Sequence, residues 1–218
     1  MTGGHLARDV WSVRAAAYVE SDAHREGPDL DVLVEWAAGA RTALDVATGG
    51  GHVARRFGEA GIEVVTCDPA PGMRPDVVTV AEQLPFADAS FDVVATRVAA
   101  HHFADVPQAV AEMARVSADR VLVVDNLYLG AQAEEADRLR DPSHVRNYSE
   151  AEWRGLLEGA ELRVAEVRTF EKPTAFEPWL ARAGCAGEDA DRVRELLADR
   201  IEDGWVTHDW IALKAVTR

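Results

Sequence analysis

The chain has 218 residues, 48% of them hydrophobic, which is the size and composition of one globular domain with a substantial core. Acidic residues outnumber basic ones by 38 to 23, and the formal net charge of −15 argues against nucleic acid or an anionic membrane surface as a partner. The two cysteines, Cys67 and Cys185, are too few for a disulfide framework or a zinc cluster. No signal peptide or membrane-spanning apolar run is visible, so we expect a cytoplasmic protein. We expect a monomer or a homodimer, between which the sequence does not decide.

The hydrophobic pattern alternates between two periods along most of the chain. Apolar residues at helical spacing predict helices in the regions 6–17, 30–37, 106–113, 153–160 and 193–201, with a shorter helix from His52. Short apolar runs predict strands at 42–46, 62–67, 77–80, 91–96, 120–125, 162–170 and 205–216. A polar stretch, residues 132–147, interrupts the alternation, and Ser149 with Glu152 forms a capping box. Alternating strands and helices predict a three-layer α/β sandwich with a mostly parallel sheet.

A glycine-rich turn follows the first predicted strand and reads LDVATGGGH over residues 44–52. Glycines let the backbone approach a ligand closely, and the next helix supplies free N–H groups at its start. The second strand ends in Asp68, whose carboxylate is suited to accept both hydroxyls of a ribose. Ligands of open α/β sheets bind at the carboxyl ends of the strands. A purely structural role, a tight turn with an N-capping aspartate, is the alternative.

Two nucleotide ligands compete for this turn. Gly49, Gly51 and Ala54 satisfy the dinucleotide pattern G-x-G-x-x-G/A. Asp45 argues against that pattern, because a carboxylate four residues before Gly49 would repel a pyrophosphate. The same carboxylate suits a ligand with an ammonium or sulfonium group, and S-adenosylmethionine has both groups and no phosphate.

Residues 43–124 resemble the core of the class I S-adenosylmethionine-dependent methyltransferases. The resemblance is to the small-molecule branch that includes the ubiquinone/menaquinone C-methyltransferases, also described as methyltransferase type 11-like. Its motifs are LDVATGGG at 44–51, similar to D-x-G-x-G-x-G, VTCDP at 65–69 with Met73, AEQLPF at 81–86 and SFDVV at 90–94. Ala47 stands where the family usually has glycine, and we expect a slightly tighter loop there.

The resemblance implies a fold and a division of the chain. The fold is a Rossmann-like, seven-stranded, mostly parallel sheet with an antiparallel last strand, in a three-layer α/β/α sandwich under an N-terminal helical lid. We expect a single methyltransferase domain over residues 1–218. Its parts are a helical cap (1–40), a cofactor-binding core (41–127), a lid insert (128–148) and a C-terminal substrate-side half (149–218).

The resemblance also implies which residues contact S-adenosylmethionine, with S-adenosylhomocysteine as the product. Asp45 and the backbone around Ala47, Thr48 and Gly49 hold the methionine moiety, and Asp68 binds the ribose hydroxyls. Arg97 and Val98 lie under the sulfonium. The remaining expected contacts are Gly51, Pro69 and Met73 near the turn and the adenine, Ala81, Glu82 and Gln83 at the adenine edge, and Tyr18 and His24 in the lid.

The residues after the fourth strand bear on the acceptor. His101 and His102 are the candidate catalytic residues for proton transfer or acceptor orientation, because a neutral histidine suits a base near pH 7. Their alternative role is packing or a place in the shell around the cofactor. The N/D-P-P-Y motif of methyltransferases acting on DNA or protein amides is missing, and so is half of the acid set of the metal-dependent enzymes. We therefore expect a small-molecule acceptor and no metal, with Phe176 and Trp179 as candidate pocket walls.

Two other functions remain open from the sequence. A protein of this fold could bind S-adenosylmethionine without transferring a methyl group. An NAD(P)-dependent reductase is the second alternative, which Asp45 and the lack of sequence for a separate substrate domain disfavour.

Overall fold

The computed structural model describes residues 25–218, so the expectations for Tyr18, His24 and the helix at 6–17 lie outside the described residues. The strands are β1 (Thr42–Val46), β2 (Glu63–Asp68), β3 (Val77–Val78), β4 (Phe91–Arg97), β5 (Ser117–Asn126), β6 (Leu162–Ala175), β7 (Ile201–Glu202) and β8 (Trp205–Thr217). The helices are α1 (Pro28–Trp36), α2 (His52–Glu59), α3 (Val106–Val116), α4 (Ala131–Arg140), α5 (Glu150–Gly159), α6 (Phe176–Ala183) and α7 (Gly187–Leu196).

The strands form one sheet in the order β3-β2-β1-β4-β5-β8-β6. The pairs from β3 to β5 are parallel, whereas β8 is antiparallel to both β5 and β6. The two-residue strand β7 pairs with β8 and adds a short hairpin to the predicted seven strands. The predicted fold class, a Rossmann-like and mostly parallel sheet with an antiparallel last strand, is confirmed.

Side chains of alternate parity along the central strands build two cores, one on each face of the sheet. On one face Leu44, Val94 and Val123 pack with residues of α3 and α5. On the other face, neighbours of opposite parity pack with residues of α1 and α2, including Ala43, Val93, Leu122, Leu33 and Phe57. Helices therefore cover both faces, as a sheet with buried parallel strands requires.

The structure differs from the sequence predictions mainly in the C-terminal half. Strand β6 runs to Ala175 rather than ending at residue 170, because it pairs with β8 along its whole length and Pro173 is tolerated in an edge strand. Helix α4 lies in the stretch that the sequence left without regular structure. Its apolar side is narrow, and Ala136 packs with Val193 and Leu196 of α7. The predicted capping box at Ser149 and Glu152 is present.

Topology fixes where a site can lie. Strands β1, β2, β4 and β5 are parallel, so their carboxyl ends, Val46, Asp68, Arg97 and Asn126, meet at one edge of the sheet. Beyond Asn126, β6 and β8 continue as a two-stranded extension, covered by a third cluster of buried residues from α4, α6 and α7. Among residues 25–218, no helix is long and apolar enough to cross a bilayer.

Candidate active site

A cavity of about 960 Å³ opens at the carboxyl ends of β1, β2 and β4. Most of the predicted cofactor residues line it, namely Asp45, Ala47, Thr48, Gly49, Asp68, Pro69, Met73, Ala81, Glu82, Arg97 and Val98. Gly51 and Gln83 do not. Gly51 instead caps the N-terminus of α2 with a left-handed φ of 72°, and the Gln83 side chain is exposed. The motifs therefore converge on a single cavity, apart from these two residues.

The turn after β1 depends on left-handed backbone conformations. Ala47 has φ 56° and Gly49 has φ 52°. Thr48 N donates to Cys67 O at 3.0 Å, which ties the turn to β2, and Gly51 N donates to Thr48 O at 2.9 Å. A left-handed φ costs an L-residue energy that glycine avoids. The expected tighter loop at Ala47 is thus a strained one, which explains why a glycine is usual at this place.

Replacing Ala47 with glycine is expected to stabilise the fold. Relief of the left-handed strain, less the entropy that glycine adds to the unfolded chain, is worth about 0.5–1 kcal/mol. The corresponding rise in Tm is roughly 1–4 °C, measured by calorimetry. Ala89, with φ 51°, is exposed and does not line the cavity, so Ala89→Gly is the matched control and should give a similar gain. A lower Tm for Ala47→Gly than for the wild type would contradict backbone strain at Ala47.

Asp45 is a buried carboxylate in the cavity wall. Its Oδ2 accepts hydrogen bonds from Thr48 Oγ1 at 2.6 Å and from Ala54 N at 3.1 Å, which fixes the turn to the start of α2. Burial raises the pKa of Asp45 to about 7, and Asp68 adds to the rise, although the two hydrogen bonds and Arg97 oppose it. A cation placed next to such a carboxylate stabilises its ionised form.

Asp68 ends β2, and both of its carboxylate oxygens are bonded to backbone. Oδ2 accepts from Gly49 N at 3.0 Å and Oδ1 from Ala70 N at 2.8 Å. Burial raises its pKa, and the two hydrogen bonds oppose the rise. Each oxygen keeps further acceptor capacity, because a carboxylate offers about four lone-pair sites. The aspartate therefore orders the glycine turn while it faces the same cavity.

Two cavity residues hold neighbouring segments together. Glu82 Oε1 accepts from Ala104 N at 2.8 Å and from Asp105 N at 3.1 Å, so its carboxylate fixes the loop that precedes α3. Arg97 Nε donates to Asp29 Oδ2 at 2.5 Å in an ion pair whose side chains are 5% and 2% exposed. Arg97 therefore lines the cavity, as expected, and its buried ion pair also connects β4 to α1.

A second cavity of about 710 Å³ adjoins the first and lies over the extension of β6 and β8. Val98 and His102 line both cavities. Val98 has φ 52°, a rare conformation for a β-branched residue, and its N–H donates to Val124 O at 2.7 Å. Strained residues of this kind concentrate at functional sites. Val98 therefore sits at the junction between the two cavities.

The two predicted catalytic histidines have different surroundings. His101 Nδ1 lies 2.6 Å from Asp125 Oδ1, and its backbone N–H donates to Asp125 Oδ2 at 2.9 Å. Burial alone would lower the pKa of His101, but Asp125, with Asp137 and Asp141, raises it above its ordinary value. His101 lines only the smaller cavity. The pair has the form of a base held by an orienting carboxylate.

His102 has the opposite electrostatics. Its Nδ1 lies 3.1 Å from Ser143 O, and its ring centroid is 4.1 Å from that of His101. Burial and the neighbouring His101 lower its pKa, with Asp141 opposing, so the ring is neutral near pH 7. A neutral ring with a lowered pKa is a weak base, so at the junction of the cavities it is better suited to contact an acceptor than to take a proton from it.

Several residues of this region lie outside the motifs that the sequence shows. His52 lines the larger cavity, and its buried Nε2 has no hydrogen-bond partner within residues 25–218. Its place directly after the glycine turn was a usable signal. Lys172 and His208 line the smaller cavity and lie far apart in sequence, so no motif connected them. Of the two predicted pocket walls, Trp179 lines the smaller cavity and Phe176 packs in the third cluster.

This sheet order, with a glycine turn and an acidic strand end facing one large cavity, is that of a Rossmann-like fold with a nucleotide-type site at its carboxyl edge. Comparison with known proteins agrees. A family described as "Methyltransferase domain" matches residues 44–124. The chain is 32% identical over 211 residues to the uncharacterized methyltransferase YcgJ of Bacillus subtilis, covering 86% of this chain and 82% of YcgJ. A demethylmenaquinone methyltransferase of Renibacterium salmoninarum is 38% identical over 34% of this chain and 35% of its own length.

Solved structures give the same answer. The crystal structure of YcgJ superimposes with a TM-score of 0.79 at 27% identity and covers 87% of this chain and 98% of its own. A putative methyltransferase from Bacillus halodurans gives a TM-score of 0.73 at 31% identity, over 87% and 99%. The chain belongs to the methyltransferase-domain family and is a methyltransferase, which confirms the resemblance and leaves the reductase alternative without support. Membership of this family implies S-adenosylmethionine as the methyl donor.

Proposed function

We propose that the larger cavity binds S-adenosylmethionine and that its methyl group passes to a small molecule held in the smaller cavity. The observation that carries this proposal is the contact between the two cavities, which share Val98 and His102. A donor site and an acceptor site must meet for an in-line displacement, and alignment of the reacting atoms is worth up to about 7–11 kcal/mol. The junction lies at the carboxyl edge of the sheet, where ligands of this architecture bind.

The residues of the larger cavity fit this cofactor chemically. A buried carboxylate such as Asp45, whose pKa is raised to about 7, is stabilised by a cationic ligand. The unpartnered Nε2 of His52 offers one more polar contact at the start of α2. Glycine backbone in the turn permits close approach, and Asp68 retains acceptor capacity for hydroxyl groups. These features support the assignment of the predicted cofactor contacts, with His52 added to them.

S-adenosylmethionine supplies an electrophilic methyl group on a sulfonium when it is bound. The chain's own part is alignment and, for an acceptor that loses a proton, a base. With Nδ1 of His101 donating to the Asp125 carboxylate, Nε2 is the nitrogen that accepts a proton. His102 and Val98 shape the junction, beside which the smaller cavity would hold the acceptor. We therefore assign the base role to His101 and a contact role to His102.

The proposal is tested by incubating the protein with methyl-labelled S-adenosylmethionine and a low-molecular-weight metabolite extract. The expected result is label in one or a few small molecules, resolved by chromatography and mass spectrometry. Binding of S-adenosylhomocysteine without any transfer across extracts would instead indicate the non-catalytic alternative. Label in nucleic acid or protein fractions of a whole lysate would contradict a small-molecule acceptor.

His101→Asn is expected to reduce the rate of label transfer by about 10²–10⁴-fold, the range typical of a lost general base. The affinity for S-adenosylhomocysteine should stay within about twofold of wild type, because His101 does not line the larger cavity. Steady-state kinetics and calorimetry measure the two quantities. Transfer at the wild-type rate in His101→Asn would remove the base role.

A further inference from the structure

The floor of the smaller cavity is built by the extension of β6 and β8. Lys172 of β6 lies directly opposite His208 of β8, so both side chains are on the same face of the two strands. Thr174 and Trp210, two residues further along each strand, share that face and also line the cavity. This register brings a cation, an imidazole and a hydroxyl to one surface.

Lys172 stands apart from the other lysine of the chain. Lys214 Nζ is paired with Glu166 Oε1 at 3.0 Å. In the described part of the chain, no carboxylate oxygen lies within 4.0 Å of Lys172 Nζ, which is 5.2 Å from the ring centroid of Trp210. Burial lowers the pKa of Lys172, with Asp29 opposing and Arg97 adding to the decrease. A half-buried ammonium of this kind is stabilised by an anion placed beside it.

His208 supplies a second unsatisfied group. Its Nε2 is buried and has no hydrogen-bond partner among residues 25–218. Burial lowers its pKa to about 4, and nearby arginines add to the decrease against the opposing effect of Asp137. The imidazole is therefore neutral near pH 7, and in the tautomer with its proton on Nε2 this atom has an N–H to donate. A buried polar atom without a partner costs energy that a ligand's acceptor atom would offset.

In the described part of the chain, cationic side chains outnumber carboxylates around this cavity. Arg140 and Arg182 join Lys172 in its lining, together with two carboxylates, Asp137 and Asp141. The carboxylates already accept protein hydrogen bonds. Asp137 takes one from Asn147 Nδ2 at 2.7 Å, and Asp141 takes one from Ser143 Oγ at 2.7 Å. Among residues 25–218, three cationic side chains and two carboxylates line this cavity besides its histidines, in a chain whose net charge is −15.

We propose that the smaller cavity binds an acceptor that carries a carboxylate, with Lys172 and His208 as its ligands. The inference rests on the proposed function, because it names the chemical class of the molecule that receives the methyl group. A lining in which cationic side chains outnumber carboxylates favours an anionic group on the ligand. Trp179 and Trp210 supply apolar wall for the rest of the molecule, and the carboxylate end determines which atom reaches His101 and His102 at the junction.

The test compares matched acids and amides. The protein is saturated with S-adenosylhomocysteine, and 4-hydroxybenzoate, indole-3-carboxylate and phenylacetate are titrated by calorimetry beside their primary amides. At least one acid is expected to bind roughly tenfold or more tightly than its amide, the usual effect of a hydrogen bond to a charged group. Equal affinities for every acid and amide, or no detectable binding of any acid, would overturn the proposal.

Lys172→Met should abolish the preference for the acid, and Lys172→Arg should retain it. Lys214→Met is the matched control. It removes the other lysine, which lies outside the cavity, and should leave the preference for the acid intact. Unchanged affinity for S-adenosylhomocysteine in Lys172→Met shows that this variant is folded. If no variant and no wild-type sample binds S-adenosylhomocysteine, the proposed function itself fails. Intact cofactor binding with an acid preference that survives in Lys172→Met overturns the carboxylate assignment alone.

Discussion

Replacing Asp45 with asparagine is expected to weaken S-adenosylmethionine binding about 100-fold, because a charge-assisted hydrogen bond is worth about 1.5–3 kcal/mol. Asparagine keeps an oxygen that can accept from Thr48 Oγ1 and Ala54 N, so the turn retains its hydrogen bonds. The same substitution is expected to stabilise the free protein near pH 8. Loss of binding with a gain in stability cannot come from unfolding.

The gain in stability has a defined pH dependence. An aspartate in an unfolded chain has a pKa of about 3.9. In the folded protein the pKa of Asp45 is about 7, so the unfolded chain releases this proton first as the pH rises. Between these values the unfolded state binds fewer protons, and the contribution of Asp45 becomes steadily more unfavourable to folding. Asp45→Asn should match wild type near pH 4 and exceed it by about 2–4 kcal/mol above pH 7, as measured by urea unfolding.

Asp92→Asn is the control, because Asp92 lies near the start of β4, at the edge of the sheet opposite the cavity. Asp92 Oδ2 accepts from the backbone N–H groups of Arg41 and Thr42, and these bonds lower its pKa. Its contribution is therefore favourable above its unfolded pKa and is lost in acid, so Asp92→Asn should lose stability near pH 8 and keep wild-type cofactor affinity. Wild-type affinity in Asp45→Asn, or the same pH dependence in both variants, would contradict the account of Asp45.

Removing the carboxylate of Asp29 is expected to destabilise the protein by about 3–5 kcal/mol, the usual cost of breaking a buried ion pair. Asp29→Leu leaves the buried guanidinium of Arg97 without this partner, and the resulting fall in Tm is roughly 6–20 °C. Thermal unfolding monitored by circular dichroism measures it. The link joins α1 to the end of β4, next to the cavity junction.

A double-mutant cycle separates the ion pair from other effects of the substitutions. Asp29→Leu with Arg97→Met should be less destabilised than the sum of the single variants, with a coupling of about 0.5–3 kcal/mol. Glu35→Leu is the control on the same helix, since Glu35 pairs with Arg168 at the surface and should contribute little. Strictly additive losses, or an equal loss for Glu35→Leu, would contradict a stabilising role for the buried pair.

The sequence carries most of the fold because the fold depends on local patterns. The apolar runs of β1, β4 and β5, the glycine turn and the capping box at Ser149 all act over a few residues. The C-terminal half depends on pairing over longer distances. The extra length of β6 follows from its register with β8, and α4 has too narrow an apolar side to stand out. These elements therefore appeared only in the structure.

The site divides in the same way. Asp45, Gly49 and Asp68 belong to motifs within two strand ends, so the sequence could bring them together. The pairing of Arg97 with Asp29, 68 residues apart, results from how α1 packs on the sheet. Lys172 and His208 meet only through cross-strand register. The cofactor side was thus readable from the sequence, whereas the chemistry of the acceptor side arises from tertiary structure.

The most direct test of the central claim, that the donor and acceptor sites meet at Val98 and His102, is a crystal structure of the protein with S-adenosylhomocysteine. We predict that the ribose hydroxyls contact Asp68, that the amino group lies beside Asp45, and that the sulfur points through the junction into the smaller cavity. A sulfur atom directed away from the smaller cavity, or a ligand bound elsewhere on the protein, would contradict the account.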